Sequence, residues 1–123
     1  MSDSIGSLVT EIGNKSLNAL WMRSSAISNN IANSDTPGYK AKSVNFEDQL
    51  SEALSGGSIS ENQVDGLEPT ETESDATYGA NGNGVDLESQ LVELSRNQLQ
   101  YDYLERGVSD NLGLLLTAAK GGK

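Results

Sequence analysis

Apolar residues recur along the first part of the chain at helical spacing: Ile5, Val9 and Ile12, then Leu17, Leu20, Ile27 and Ile31. From Leu17 onward the slots alternate by three and four positions, with Ser24 as the one polar member. This heptad pattern predicts an amphipathic helix that seeks a partner helix. The stripe before Gly13-Asn14 does not keep register with the stripe after it, so residues 1–14 are expected to be the less stable part of this arm. The end of the chain repeats the theme. Leu87, Leu94, Tyr101, Val108 and Leu115 recur at heptad spacing, with Leu91 and Leu112 in the intervening slots. Gln98 and Glu105 interrupt that second row, and Leu104 stands beside the later interruption. A helix over 86–119 would be about 50 Å long, more stripe than one shorter helix can cover. Asp86 is the expected N-cap, with Glu88 adding favourable charge in the first turn, and Gly121-Gly122 end the arm.

Between the arms the pattern changes. Residues 34–50 read as a helix exit, a Pro-Gly turn and a short helix. That helix has Phe46, Leu50 and Leu54 one turn apart and Asn45 as its cap. Residues 51–84 are rich in Ser, Gly, Thr and acids, and no Lys or Arg occurs between Lys42 and Arg96. Such a stretch folds poorly alone and is expected to be flexible, with Val64, Leu67 and Tyr78 available for a small ribbon on a partner. The predicted fold is all-α. Long N- and C-terminal helices pair as a coiled-coil core around an irregular acidic middle that admits some β structure. The segments are a helical arm over 1–33, turn and short helix over 34–50, flexible middle over 51–84, second arm over 85–119 and tail over 120–123.

Composition narrows the chemistry. At 123 residues and 35% hydrophobic, the chain has material for one modest core. Eighteen acids against eight bases give a net charge of −10, which repels phosphate backbones and anionic bilayers. No cysteine or histidine is present, which removes thiol nucleophiles, disulfides, histidine bases and the usual zinc ligands. The apolar run at Leu114-Leu115-Leu116 is far too short to span a bilayer. Asp3, Gly6 and Glu11 interrupt any leader-like run, so a cytoplasmic protein, or one exported without a cleaved signal, is expected. The carboxylates Glu68, Glu71, Glu73 and Asp75 have no rigid scaffold for acid–base work. Gly82-x-Gly84-x-Asp86 matches half of one calcium-binding nonapeptide, but that fold requires stacked copies, and a flexible loop with a helix cap is the simpler reading. Trp21 and Met22 read most simply as helix-packing residues, with an exposed Trp21 at a partner interface as the sharper alternative. No catalytic residue, cofactor or metal site is expected.

The most informative stretch runs from Asn29 to Lys40. Pro37 presets φ for the second turn position, and Gly38 supplies the positive φ that a type II turn needs at the third. Asn33 and Asp35 can bond nearby backbone and stop the helix. A Pro-Gly turn alone is an ordinary loop. Its wording goes further: Asn30, Ile31, Ala32, Asn33, Asp35, Thr36, Pro37, Gly38, Tyr39 and Lys40 resemble the N-terminal signature of flagellar rod, hook and hook-associated axial proteins. Asn45-Phe46-Glu47 with Leu50, Gly82-Asn83-Gly84-Val85-Asp86-Leu87-Glu88 and Asn97-Gln98-Leu99-Gln100-Tyr101 extend the resemblance to the flagellar basal-body rod protein family, on its proximal-rod side. The segment 51–81 carries none of it.

The resemblance implies a structural, non-enzymatic subunit whose terminal helices form the core and whose motif 30–40 serves assembly. The helix-core positions expected are Leu17, Leu20, Ile27, Ile31, Leu87, Leu91, Leu94, Tyr101, Leu104, Val108, Leu112 and Leu115. It also implies type III export without a cleaved signal and helical assembly on the periplasmic side of the basal body. The neighbours implied are copies of itself, FliE, FlgC and FlgF, with the membrane ring and export gate nearby. The alternative from another class is a helical export chaperone or adaptor of a type III secretion system, whose acidic surface would suit basic clients.

Overall fold

A computed structural model describes residues 5–56 and 60–121, with side chains described for 6–56 and 60–110. Two long helices, α1 (Ile5–Ala32) and α4 (Leu87–Gly121), pack against each other. Between them lie β1 (Lys42–Asn45), α2 (Glu47–Leu54), α3 (Glu61–Asp65) and β2 (Thr70–Glu73). The helices run antiparallel: Asn30 meets Gln90, Leu20 meets Asn97, and Gly13 lies against Val108.

The pairing explains Gly13. A Cβ at this position would fall on Val108 Cγ2, so the glycine that weakens the isolated helix lets the partner helix approach. It is buried within an uninterrupted α1. On α4 the half-buried and buried row is Gln90, Leu94, Asn97, Tyr101, Leu104 and Val108. Leu87 and Leu91, expected in the core, are instead 42% and 49% exposed. The second row of the heptad follows Leu94 and Tyr101 by three residues, at Asn97 and Leu104, and not by four, at Gln98 and Glu105. Asn97 can sit there because its Nδ2 donates to Leu20 O at 2.8 Å.

The middle of the chain supplies the remaining core. β1 and β2 form a two-stranded antiparallel ribbon with Lys42 opposite Glu73 and Asn45 opposite Thr70, so the fold is not purely α. The ribbon comes from other residues than Val64, Leu67 and Tyr78. Val64 and Leu67 are buried within the chain itself, and Tyr78 is exposed. Ala19 of α1 forms a cluster with Phe46 and Leu67, flanked by Leu50 and Ala53. Leu54, last of the expected α2 stripe, is exposed. A capping box between Ser60 and Gln63 starts α3, and Lys15 Nζ donates to the carbonyls of Asp65 and Leu67, tying the end of α3 to α1. The expected core positions Leu112 and Leu115 lie outside the described side chains, and Gly122 lies outside the described residues.

Candidate functional site

The stretch 29–40 leaves α1 through a closed set of local bonds. Asn33 Nδ2 donates to Asn29 O at 2.8 Å, a carbonyl that also accepts from Asn33 N at 3.1 Å, and Thr36 Oγ1 donates to Asn33 Oδ1 at 3.0 Å. Tyr39 N closes a turn onto Thr36 O at 3.3 Å, and Gly38 has φ +70°, as the third position of a type II turn requires.

Asn30 is the hub of this end of the molecule. It is 0% exposed, yet its side chain makes four hydrogen bonds. Nδ2 donates to Lys42 O at 2.8 Å and to Gln90 Oε1 at 2.9 Å. Oδ1 accepts from Lys42 N at 2.9 Å and from the Tyr39 hydroxyl at 3.1 Å. One buried amide thus joins α1, the turn, β1 and α4, with both donors and two lone pairs used. That complete set is what makes its burial tolerable.

The segment before α4 docks on the same turn. Asn83 is 3% exposed; its Nδ2 donates to Asn33 O at 2.9 Å and Thr36 O at 2.6 Å, while its Oδ1 accepts from Val85 N at 2.8 Å. Gly84 N donates to Tyr39 O at 2.8 Å, and Gly38 N donates to Asn81 O at 3.2 Å. A Cβ on Gly84 would lie 2.7 Å from Ala76 O and 3.1 Å from Tyr39 O, so two backbones meet where only glycine fits. Asp86 then starts α4, its carboxylate accepting from the Ser89 hydroxyl at 3.0 Å. The stretch 82–84, expected to belong to the flexible middle, is part of a packed joint with Asn83 and Gly84 buried beside Val85. The reason is the partner: the turn's outward-facing carbonyls offer acceptors that composition does not reveal.

The structure thus brings together Asn30, Asn33, Thr36, Gly38 and Tyr39 of the expected motif and adds Asn83, Gly84 and Gln90. Ile31 is half-buried, and Ala32, Asp35, Pro37 and Lys40 are exposed, Lys40 pairing with Asp75 at 3.1 Å. Among the expected helix-core residues, Leu20 and Ile27 are buried, and Leu17, Leu94, Tyr101, Leu104 and Val108 are half-buried. Gln90 and Asn97 were not expected in the core because they are polar; the signal was their heptad spacing with Leu104.

A second anchor holds the ribbon and α2 on α1. Arg23 donates from Nε and Nη2 to Val44 O and makes a two-pronged bond to Glu47 at 2.7 and 2.8 Å. Those bonds lower the Glu47 carboxyl to about 2. Nearby, Ala19, Leu20, Phe46, Leu50, Tyr103 and Leu104 help to line an open apolar groove of about 240 Å³. The outward face of α4 carries Val92, Leu99 and Tyr103, which are 57%, 71% and 82% exposed. No group of three or more potential metal ligands occurs among the described residues, and no helix there is long and apolar enough to cross a membrane.

Comparison with known proteins follows the same residues. The family described as "Flagella basal body rod protein" matches residues 14–40, which take in the second half of α1 and the turn. The flagellar basal body rod protein FlgB of Bacillus subtilis (strain 168) is 34% identical over 110 residues, covering 83% of this chain and 85% of that protein. FlgB of Aeromonas hydrophila is 35% identical over 115 residues, covering 80% and 83%. FlgB of Borreliella burgdorferi is 30% identical over 108 residues, covering 74% and 80%.

Proposed function

The chain belongs to the FlgB family of flagellar basal body rod proteins and is a structural rod subunit, and from that premise we propose how it assembles. The subunit joins the proximal rod on the periplasmic side of the basal body, reaches it by type III export without a cleaved signal, and performs no catalysis. It stacks helically with copies of itself and with FliE, FlgC and FlgF, near the membrane ring and export gate. Head-to-tail contacts that do not close give such a stack.

The observation that supports this reading is the outward face of α4. Val92, Leu99 and Tyr103 stand exposed on a helix whose opposite face is already used by α1. Apolar side chains repeated along one free helix face are a helix-docking surface. The fully bonded junction at Asn30 and Asn83 holds that face at a set angle to the rest of the subunit. The motif 30–40 then acts in assembly through its exposed residues Asp35, Pro37 and Lys40, while its inner edge fixes the fold.

The experiment is electron microscopy of basal bodies from a strain lacking the gene, complemented with tagged wild type or with Leu99→Asp/Tyr103→Asp. Rings without rods in the deletion strain, rods restored by wild type with the tag retained, and failure of the double variant despite a wild-type circular dichroism spectrum are the expected results. Complete rods in the deletion strain, or a tag absent from restored rods as a departing chaperone would leave it, would overturn the proposal. Leu20→Asp serves as contrast: Leu20 is 8% exposed, so a charge there should unfold the subunit itself.

A further inference from the structure

The joint between the turn and α4 contains a chemically fragile pair. Asn83 is followed by Gly84, and Asn81 by Gly82. Asparagine is a thermolabile residue, and a following glycine presents its backbone nitrogen without a side chain to hinder approach. In that reaction the Gly84 nitrogen attacks Asn83 Cγ. A bond forms between them, the Cγ–Nδ2 bond breaks, and ammonia leaves carrying the proton that the Gly84 nitrogen loses. Water then opens the five-membered imide to aspartate or to isoaspartate.

In the folded chain every participant is held elsewhere. The attacking nitrogen donates its proton to Tyr39 O at 2.8 Å. The leaving amide nitrogen donates to Asn33 O and Thr36 O, and the amide oxygen accepts from Val85 N. Asn83 is 3% exposed, so water reaches its side chain only after local opening. Attack requires those hydrogen bonds to break together inside a packed joint.

We propose that Asn83 is a fold-gated deamidation site: the unfolded chain converts it to an acid, the folded joint preserves the amide, and a converted chain cannot rebuild the joint. The last step follows from donor arithmetic. Asparagine gives the Asn33 and Thr36 carbonyls a second N–H each, beside those of Thr36 N and Tyr39 N, whereas a carboxylate supplies none and sets its negative charge against both. Isoaspartate additionally lengthens the backbone where even a Cβ on Gly84 would collide with Ala76 O and Tyr39 O.

The full-length chain is incubated in mildly alkaline buffer, once native and once in urea, and conversion at each asparagine is followed by peptide mapping with fragmentation that separates position 81 from position 83. In urea, Asn83 should convert faster than asparagines followed by bulkier residues, such as Asn45 and Asn97. In native buffer its conversion should slow by about tenfold or more, in proportion to the rarity of opening. Equal rates in the two buffers, or no lead over Asn45 and Asn97 in urea, would overturn the gating. The consequence is read separately by urea unfolding of Asn83→Asp: a midpoint well below wild type is expected, and a wild-type midpoint would overturn the claim that conversion disables the joint.

Discussion

At the loop end of the α1–α4 pair, Asn30 uses both donors and two lone pairs. Further along the same seam, Asn97 makes a single bond to Leu20 O, and its Oδ1 has no hydrogen-bond partner. Both amides are almost fully buried, and both face a neighbouring element, yet they do different work. Asn30 joins four pieces of chain that no apolar contact could align. Asn97 sits in a largely apolar row, the kind of position at which a lone buried asparagine in a coiled coil sets register at some cost in stability. The joint end is specified by hydrogen bonds, the seam by side-chain volume.

The comparison is broken most forcefully at the hub. Asn30→Ala leaves Lys42 N, Lys42 O, the Tyr39 hydroxyl and Gln90 without their partner in a closed site, and should cost about 3 kcal/mol or more. Urea unfolding of the full chain measures it; a loss within about 1 kcal/mol would remove the distinction drawn here.

Two glycines give the next largest contrast. Gly84→Ala places a methyl group 2.7 Å from Ala76 O and should cost about 1–3 kcal/mol. Gly107→Ala meets nothing within 4 Å and should gain about 1 kcal/mol from helix propensity alone. Thermal melts of the two variants should move in opposite directions.

At the seam, Asn97→Leu removes an amide whose oxygen is unpaired, so stability should stay within about 1 kcal/mol of wild type or rise. The same substitution at Asn30 would be ruinous. Chemical denaturation of the two side by side sharpens the contrast.

The smallest effect is electrostatic. Arg23 lowers the Glu47 carboxyl from 4.5 to about 2, so the folded chain holds that proton less tightly than the unfolded one. The pair's contribution is complete above pH 4.5 and fades as pH falls toward 2. Glu47 is 60% exposed on its side chain, and screening keeps the contribution to about 1 kcal/mol at most. Glu11, raised chiefly by its hydrogen bond with Asp65, acts in the opposite sense, favouring the folded chain as pH falls. Melting temperature against pH should therefore decline less steeply in acid for Glu47→Gln than for wild type.

The two long helices were legible because their apolar residues repeat with a helix's own period, a local property written along one strand of text. The turn at Pro37-Gly38 was legible for a similar reason: proline and glycine restrict or permit φ wherever they occur. The flat choice between Leu91 and Gln90 as seam residues was not. Hydrophobicity favours Leu91, and only the facing surface of α1, with the Leu20 carbonyl turned toward Asn97, decides for the row that holds two amides. The middle segment was read as loose because its own composition offers little to bury. It folds because α1 lends Ala19, Lys15 and Arg23 to it.

By itself, then, the sequence determined the periodic and the conformationally restricted parts: two amphipathic arms, one sharp turn, a helix start at Asp86 and the absence of thiol or imidazole chemistry. The tertiary structure alone decided that the arms run antiparallel, that Asn97 and Gln90 lie inside while Leu87 and Leu91 lie outside, and that the turn closes on Asn83 and Gly84. Periodicity is a property of neighbours along the chain, whereas the pairing of a buried donor with its acceptor depends on residues dozens of positions apart, and no local pattern encodes which carbonyl will be waiting there.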